Sequence, residues 1–315
     1  MTKPEIRTYH PGDEEAILEL FSTCYQRELP LESWRWRFQQ APAGPGVIKL
    51  AWDHGQLVGH YAITPISIKL ENTSIGTGLS GTTMTHPSYR GSGLFPQLAR
   101  ATYLEMRDRN LVMVWGFPNS KSHRGFIRDL GWTDLWEIPT LRAKLPLRIG
   151  EEAAIAVREI SEIDERFDTL WREAGNGLLV AVERNRAWLT WRYLQNPTTR
   201  YRVLTAEADG ALLGYLVTKR YKSEVHVVDL LALDNSISIG MLRAAGIEAK
   251  REGAETISLW LVLHASLHGE LEKIGFDNEA PVTYFGASTL SGGKAQSLAG
   301  NFRNWYVTMG DSDVY

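Results

Sequence analysis

Trp36-Arg37-Phe38-Gln39-Gln40-Ala41-Pro42 recurs 155 residues later in the sequence as Trp191-Arg192-Tyr193-Leu194-Gln195-Asn196-Pro197. The same spacing carries Gly55 onto Gly210, Leu57 onto Leu212 and Gly59 onto Gly214. Matched Trp, Pro and Gly residues at one constant spacing are typical of an internal repeat, in which each copy is one structural unit. We therefore predict a duplicated domain, with residues 1–148 as one copy and residues 149–315 as the other.

The bulk composition agrees with two soluble domains. A chain of 315 residues with 43% hydrophobic and 23% charged residues can build two cores. A net charge of −3 argues against nucleic acid as a partner, because it supplies no basic footprint. Cys24 is the only cysteine, which excludes an intrachain disulfide, and no apolar run is long enough to cross a membrane. We expect a cytoplasmic monomer or homodimer without a membrane partner.

The pattern of apolar residues predicts alternating helices and strands, which is the α/β (α+β) class. In the first copy, a capped helix follows Asp13, a hairpin turns at Asp53-His54-Gly55, and a Gly-rich strand covers Gly76–Thr85. Glycines 78 and 81 inside that strand predict a bulge or a close approach. The second copy repeats this order. The Gly/Ser/Ala-rich stretch Ser288–Asn301 is predicted to be a mobile loop.

One short loop stands out as a candidate binding site. Arg90-Gly91-Ser92-Gly93-Leu94 lies where the Gly-rich strand ends and a long predicted helix begins. Backbone N–H groups and the helix dipole converge at such a point, and glycines let an anion come close. The sequence therefore predicts a phosphate site, with a tight connection as the structural alternative.

The stretch Thr85-His86-Pro87-Ser88-Tyr89-Arg90-Gly91-Ser92-Gly93-Leu94 resembles the acyl-CoA signature of the GCN5-related N-acetyltransferase (GNAT) superfamily. Asn119 and Gly131-Trp132 are similar to that family's second CoA segment. The resemblance implies tandem GNAT-like domains, each a mixed, mostly antiparallel twisted sheet flanked by helices. The corresponding stretch of the second copy, Leu233–Gly240, lacks the signature, and Asp234 there would repel a pyrophosphate. The resemblance thus implies one active half and one supporting half.

The resemblance also implies a co-substrate, acetyl-CoA or another short acyl-CoA, with no metal. The pantetheine arm would pair with the backbone of Thr83, Met84 and Thr85, and an N–H at Thr83 or Met84 would stabilise the oxyanion. The pyrophosphate would lie against the N–H groups of the loop, which are those of Arg90, Gly91, Ser92, Gly93, Leu94 and Phe95. Asn119 would contact the cofactor or only cap its helix.

The resemblance does not identify the catalytic residues directly. The tyrosine that often protonates the leaving thiolate is replaced by Ile127. His123, one turn earlier, and His86 are the candidates for acid or base, against the alternatives of an exposed helix histidine and a structural His-Pro turn. Trp34 is predicted to contact the acceptor substrate. Asp229 is predicted as a pocket carboxylate, with a buried, paired aspartate as the alternative.

The acceptor is inferred from a further similarity. The repeated Trp-Arg elements and the stretch 305–313 resemble acyltransferases of bacterial surface-polysaccharide pathways. The implied function is acyl-CoA-dependent N-acylation of a primary amine on a nucleotide-linked amino sugar. Two alternatives remain: acetylation of another small amine, such as an aminoglycoside or polyamine, and a non-catalytic acyl-CoA-binding module.

Overall fold

The structure is a computed structural model that describes residues 3–315, with the side chains of all but residues 152 and 280–282. Contacts divide the chain into two compact units. Unit 1 comprises the described residues up to Ile68 together with Ser74–Trp136 and Tyr284–Gly300. Unit 2 comprises Lys69–Thr73, Glu137–Thr283 and Asn301–Tyr315.

The strands of the described chain follow in sequence order. They are β1 (Glu5–Thr8), β2 (Val47–Asp53), β3 (Gln56–Leu70), β4 (Thr73–Thr85), β5 (Met113–Gly116), β6 (Thr133–Lys144), β7 (Val157–Ile160), β8 (Val180–Val182), β9 (Arg202–Ala208), β10 (Ala211–Tyr221), β11 (Glu224–Ala232), β12 (Thr256–Leu259), β13 (Asp277–Thr289) and β14 (Trp305–Tyr306).

The helices are placed between them. They are α1 (Glu14–Tyr25), α2 (Leu31–Gln39), α3 (Leu94–Asp108), α4 (His123–Leu130), α5 (Arg166–Ala174), α6 (Arg186–Leu189), α7 (Asn235–Arg251), α8 (His268–Lys273) and α9 (Lys294–Ala299). Helix α6 continues as a π-helical turn over Thr190–Leu194, the place of the second Trp-Arg element.

Unit 1 is built on the strand order β1-β2-β3-β4-β5-β13. The first two pairs are antiparallel, as in Ile6↔Ala51 and Leu50↔His60. Strands β4 and β5 are parallel, and β13 closes the sheet antiparallel to β5 through Gly286↔Gly116. Helices α3 and α4 share one apolar cluster that includes Tyr103 and Phe126, and α1 and α2 share another that includes Trp34.

Unit 2 follows the same plan with the order β7-β9-β10-β11-β12-β6. Again the central pair, β11 and β12, is parallel, and the last strand, β6, is antiparallel to its neighbour through Leu259↔Leu141. Helix α7 packs its small residues into a cluster with these strands, for which Ala245 and Ala249 are examples. The predicted α/β class, with a mostly antiparallel sheet flanked by helices, is therefore confirmed.

The two copies of the sequence repeat make equivalent hydrogen bonds and equivalent close contacts in the structure. The N–H of His86 donates to the carbonyl of Val58 at 2.9 Å, and the N–H of Leu233 donates to the carbonyl of Leu213, also at 2.9 Å. The acceptors are 155 residues apart, as in the repeat. The repeated glycines are positions of close packing: a Cβ on Gly59 would lie 2.7 Å from Leu98, and one on Gly214 would lie 2.8 Å from Ala232.

Three sequence expectations differ from the structure. The predicted boundary at residues 148 and 149 does not describe the contact units, because residues 284–300 belong to unit 1 and residues 137–148 to unit 2. The predicted mobile loop at Ser288–Asn301 instead ends β13 and forms α9, which buries Ala295 and Ala299. Asp13 does not cap α1 with its side chain, because its carboxylate binds Arg7 at 2.7 Å.

Candidate functional site

The candidate site begins where two parallel strands of unit 1 part. Pairing between β4 and β5 is limited to Gly78↔Val114 and Leu79↔Trp115, although β4 continues to Thr85. Close approach at the last paired stretch requires glycine, since a Cβ on Gly78 would lie 2.1 Å from Ile63. Beyond Leu79, one edge of β4 therefore has no neighbouring strand within residues 3–315, and an extended ligand can add its own hydrogen bonds at such an edge.

The backbone of β4 departs from regular strand geometry at Thr82, and we call this position the bulge. Thr82 has φ +55°, a conformation that a β-branched residue rarely adopts. Its carbonyl lies 2.7 Å from Nδ1 of His60, and its hydroxyl lies 3.4 Å from the guanidinium of Arg37. The Arg37 of the repeated motif thus helps to hold the bulge.

The backbone of Thr83 and Thr85 faces away from β3. Their carbonyls accept hydrogen bonds from side chains of α1, from the hydroxyl of Tyr25 at 3.0 Å and from Sγ of Cys24 at 3.5 Å. In a strand, the backbone N–H and C=O groups of one residue point to one edge, and those of the next residue point to the other edge. The N–H groups of Thr83 and Thr85 therefore lie on the edge away from β3, and the N–H of Met84 faces β3. Of the pair Thr83 and Met84, only Thr83 therefore has its N–H on the edge away from β3.

The Gly-rich loop follows directly. A 3₁₀ turn over Pro87–Tyr89 leads into Gly91 and Gly93, whose φ angles are +78° and +77°. Gly93 is the N-cap of α3 and provides no side-chain cap, so the first N–H groups of the helix, at Leu94 and Phe95, have no helical partner. The third helical residue is Pro96, which has no N–H. The loop, Arg90 and Ser92 included, is exposed at this end of the helix.

Two contacts connect the loop and the turn before it to neighbouring elements of unit 1. The hydroxyl of Tyr89 donates to the carboxylate of Asp53 in the β2–β3 turn at 2.5 Å. Cys24 lies beside Arg90, and burial raises the pKa of its thiol. Neither Tyr25 nor Cys24 was predicted as a site residue, and nothing in the sequence pattern at the end of α1 signals their position.

His86 has a structural role at the base of the loop. Its Nδ1 accepts from the N–H of Ser88 at 3.3 Å, and its ring meets Tyr89 edge-on at 6.0 Å. The side chain also lines a cleft of about 260 Å³ with Glu19 of α1 and His54 of the β2–β3 turn. The His86 side chain therefore caps the 3₁₀ turn.

The described contacts of His123 are with residues of β13 and β6. Its ring stacks on Tyr284 of β13 with centroids 4.0 Å apart and planes 9° apart. Its Nε2 lies 3.0 Å from a carboxylate oxygen of Asp134, although the ring N–H is not aligned for a hydrogen bond. In the strand order, β13 and β6 follow β5 on the side opposite to β4. The contacts with Tyr284 and Asp134 therefore do not place the imidazole beside the edge of β4 that has no neighbouring strand.

Two further predicted site residues, Asn119 and Trp34, make contacts within the chain. Asn119 uses its side-chain oxygen to accept from the N–H groups of Lys121 and Ser122 at 3.0 and 3.1 Å, so it closes the turn before α4. Trp34 is completely buried between Tyr9 and Phe38, which leaves its ring no surface for a soluble substrate.

Asp229, in unit 2, is completely buried and paired rather than a pocket carboxylate. It accepts from the guanidinium of Arg184 at 3.1 Å, from the hydroxyl of Tyr215 at 2.9 Å and from that of Thr308 at 3.1 Å. The N–H of Leu230 also donates to this carboxylate, at 3.1 Å. Charge compensation and these four donors explain how a carboxylate remains in this interior.

Within residues 3–315, no group of three or more His, Cys, Asp and Glu side chains is arranged to hold a metal ion. No helix in the same range combines the length and apolar character needed to span a bilayer.

Known proteins resemble this chain both in sequence, over part of its length, and in fold. Residues 5–134 match the family model described as "Acetyltransferase (GNAT) domain". No curated protein matches the chain. A GCN5-related N-acetyltransferase structure from Anabaena variabilis is similar with a TM-score of 0.74 and 12% identity, covering 95% of this chain and 75% of that one.

Two further solved structures carry information on ligands of their own. Saccharomyces cerevisiae N-myristoyltransferase with bound myristoyl-CoA is similar with a TM-score of 0.64 and 10% identity, covering 91% of this chain and 83% of that one. A fungal GCN5-related glucosamine N-acetyltransferase region, part of a multi-domain β-N-acetylglucosaminidase, has a TM-score of 0.63 and 14% identity, covering 91% and 38%. The chain thus has the fold of the GCN5-related N-acetyltransferases, and residues 5–134 match the acetyltransferase domain of that superfamily.

Proposed function

We propose that this protein is an acyl-CoA-dependent N-acyltransferase whose co-substrate binds to unit 1. The observation that carries the proposal is the sequence of features along β4: the strand parts from β5, bulges at Thr82 and runs into the loop Arg90–Phe95 at the N-terminus of α3. The match of residues 5–134 to a GNAT domain supports the same reading.

The proposed roles follow from these positions. The pyrophosphate of acyl-CoA lies against the N–H groups of Gly91, Leu94 and Phe95, with Arg90 as the nearby positive charge. The amides of the pantetheine arm extend along Thr83–Thr85, the edge without a neighbouring strand. The thioester oxygen is then within reach of the N–H of Thr83.

The reaction transfers the acyl group to an amine. The neutral amine nitrogen attacks the thioester carbon, the new C–N bond forms, the C–S bond breaks, and the proton lost by the nitrogen is balanced by one gained by the CoA thiolate. Ile127 stands where the superfamily's usual tyrosine would be, and both His86 and His123 are engaged in structural contacts. We therefore assign the proton transfers to no side chain.

For the acceptor we propose an amino sugar, most specifically a nucleotide-linked one. The similarity of fold to the glucosamine N-acetyltransferase region supports this class, along with the resemblance of segment 305–313 to surface-polysaccharide acyltransferases. Turnover of an aminoglycoside or polyamine in place of amino sugars would overturn the acceptor class. Binding of acyl-CoA without turnover of any amine would leave only a binding module.

The cofactor site is tested by calorimetric titration with acetyl-CoA. Alanine at Gly91 and Gly93 forces side chains into left-handed backbone, at about 1–2 kcal/mol per site. The matched control is Gly210→Ala/Gly253→Ala, because those glycines have φ +80° and +81° and no neighbour within 4 Å of an added Cβ. We expect both variants to lose similar stability, and only Gly91→Ala/Gly93→Ala to weaken acetyl-CoA binding, by at least tenfold. Equal affinity in the two variants would refute the loop assignment.

A further inference from the structure

In unit 2, β11 and β12 part along the chain as β4 and β5 do in unit 1. We call the space between β11 and β12 the second cleft. Because His86 and Leu233 make the same ladder hydrogen bond, counting back along the strands places Asp229 at the position of Thr82, and Leu230 at that of Thr83. Pairing between β11 and β12 stops at Val227↔Leu259, although β11 continues to Ala232. The register of β11 against β10 also shifts just before Asp229, as β4 bulges at Thr82.

This second cleft is filled by segment 305–315. The hydroxyl of Tyr306 donates to the carbonyl of Leu230, the equivalent of the Thr83 carbonyl that accepts from Tyr25 in unit 1. The backbone of Gly310 lies against Val228, since a Cβ on that glycine would be 3.2 Å from the Val228 carbonyl. The ring of Tyr315 meets Trp260, the first residue beyond β12, at 5.1 Å.

Buried charges hold the segment there. Arg184, completely buried, bridges Asp229 of β11 at 3.1 Å and Asp311 of the segment at 2.9 Å. Arg192, the second copy of the repeated arginine, donates to the carbonyls of Gly310 at 2.9 Å and Ser312 at 3.2 Å. In unit 1 the equivalent Arg37 reaches the bulge residue Thr82.

The phosphate end of the second cleft is also changed. Asp234 caps α7, and its carboxylate accepts from the N–H of Ile237 at 2.9 Å and from the hydroxyl of Ser236 at 2.7 Å. In unit 1 the matching helix begins with Gly93, which has no side chain to offer. The anion position at the start of α7 is therefore taken by the chain's own carboxylate.

We infer that the second cleft in unit 2 corresponds to the acyl-CoA site of unit 1 and is filled by the protein's own chain. Segment 305–315 occupies the place that the pantetheine arm takes in unit 1, and Asp234 occupies the place of the pyrophosphate. The comparison with unit 1 rests on the proposed function. The consequence is one acyl-CoA site per chain, with the second cleft held closed by an intramolecular ligand.

Gly310 provides the test. A Cβ at this position would lie 2.0 Å from the hydroxyl of Tyr193, so Gly310→Ala displaces the segment. The matched double variant Gly310→Ala/Tyr193→Phe removes that hydroxyl, which has no hydrogen-bond partner within the described residues. Hydrogen–deuterium exchange is measured for residues 228–232 and 305–315 in the full chain, with Tyr306→Phe as a milder second variant.

We expect Gly310→Ala to speed exchange at least tenfold in both stretches, and the double variant to restore protection. Tyr306→Phe should speed exchange at Leu230 and its neighbours. Unchanged protection of 228–232 beside a freely exchanging segment would overturn the inference, as would two acetyl-CoA molecules bound per chain. The exchange result does not depend on acyl-CoA, so a failure of the proposed function would show separately, as absent binding with normal exchange behaviour.

Discussion

The imidazole Nδ1 of His60 lies 2.7 Å from the carbonyl oxygen of Thr82, the residue at which β4 adopts φ +55°. A carbonyl only accepts, so Nδ1 of His60 carries a proton, as it does both in one neutral tautomer and in the imidazolium. His60 is completely buried, and burial lowers its pKa to about 4. The bulge at the candidate site thus depends on an uncharged histidine.

Acid should therefore weaken unit 1 through His60. The unfolded chain takes up a proton near pH 6.5, whereas the folded chain does so only near pH 4. The contribution of His60 is complete above pH 6.5 and is lost as the pH falls toward 4, by about 3 kcal/mol in total. Urea unfolding between pH 7.5 and 4.5 measures it. His60→Gln should flatten the acid slope by one proton, and an unchanged slope would contradict this role of His60.

Arg184→Leu should be among the most destabilising single changes in unit 2. It leaves the carboxylates of Asp229 and Asp311 buried without a cation, at about 3–5 kcal/mol. Arg158→Leu is the matched control, because its pair with Glu207 is at the surface and contributes less than about 1 kcal/mol. Denaturant melts of the two variants compare them, and similar losses would contradict the buried network.

Gly78→Ala tests the close packing where β4 and β5 still pair. Its Cβ would meet Ile63 at 2.1 Å and Met106 at 2.7 Å, and such overpacking costs about 1–3 kcal/mol. Gly177→Ala has free space around its Cβ and should change the free energy of unfolding by less than about 0.5 kcal/mol. Combining Gly78→Ala with Ile63→Ala should cost less than the sum of the single changes. Strict additivity would show that the two positions do not touch.

Tyr103→Phe probes the polar centre of unit 1. The Tyr103 hydroxyl lies 2.8 Å from that of Tyr61 and accepts from Nε1 of Trp132 at 2.8 Å. Its removal leaves a buried indole N–H without an acceptor, which should cost about 1–3 kcal/mol. The control is Tyr221→Phe on an exposed ring, for which we expect no measurable change in the unfolding midpoint. Equal midpoints for the two variants would argue that Trp132 finds another acceptor.

Local features of the fold could be predicted from the sequence. The turn His54-Gly55 fixed the β2–β3 hairpin because both residues take positive φ, and the helix after Gly93 begins where the loop pattern indicated. The loop residues and the edge of β4 were identified through family resemblance. Their ligand roles stay predictions.

Long-range features could not be predicted in this way. The choice of β13 as the partner of β5 depends on residues about 170 positions apart, and no local pattern encodes it. The surroundings of Trp34 and Asp229 could not be predicted for a related reason. Periodicity shows which residues are apolar, but the burial of a tryptophan or the pairing of a carboxylate is decided by distant partners such as Tyr9 and Arg184.

The pairing of β13 with β5 also sets an order of events during synthesis. Residues 284–289 leave the ribosome long after β1 to β5, at a pace of about 5–20 residues per second. For roughly ten seconds or more, the nascent chain exposes the open edge of β5, with Val114 and Trp115 in its middle, to chaperones and to other nascent chains. A ribosome stalled before residue 284 would therefore present a sheet with an unpaired edge, and quality control would encounter this protein first at that edge.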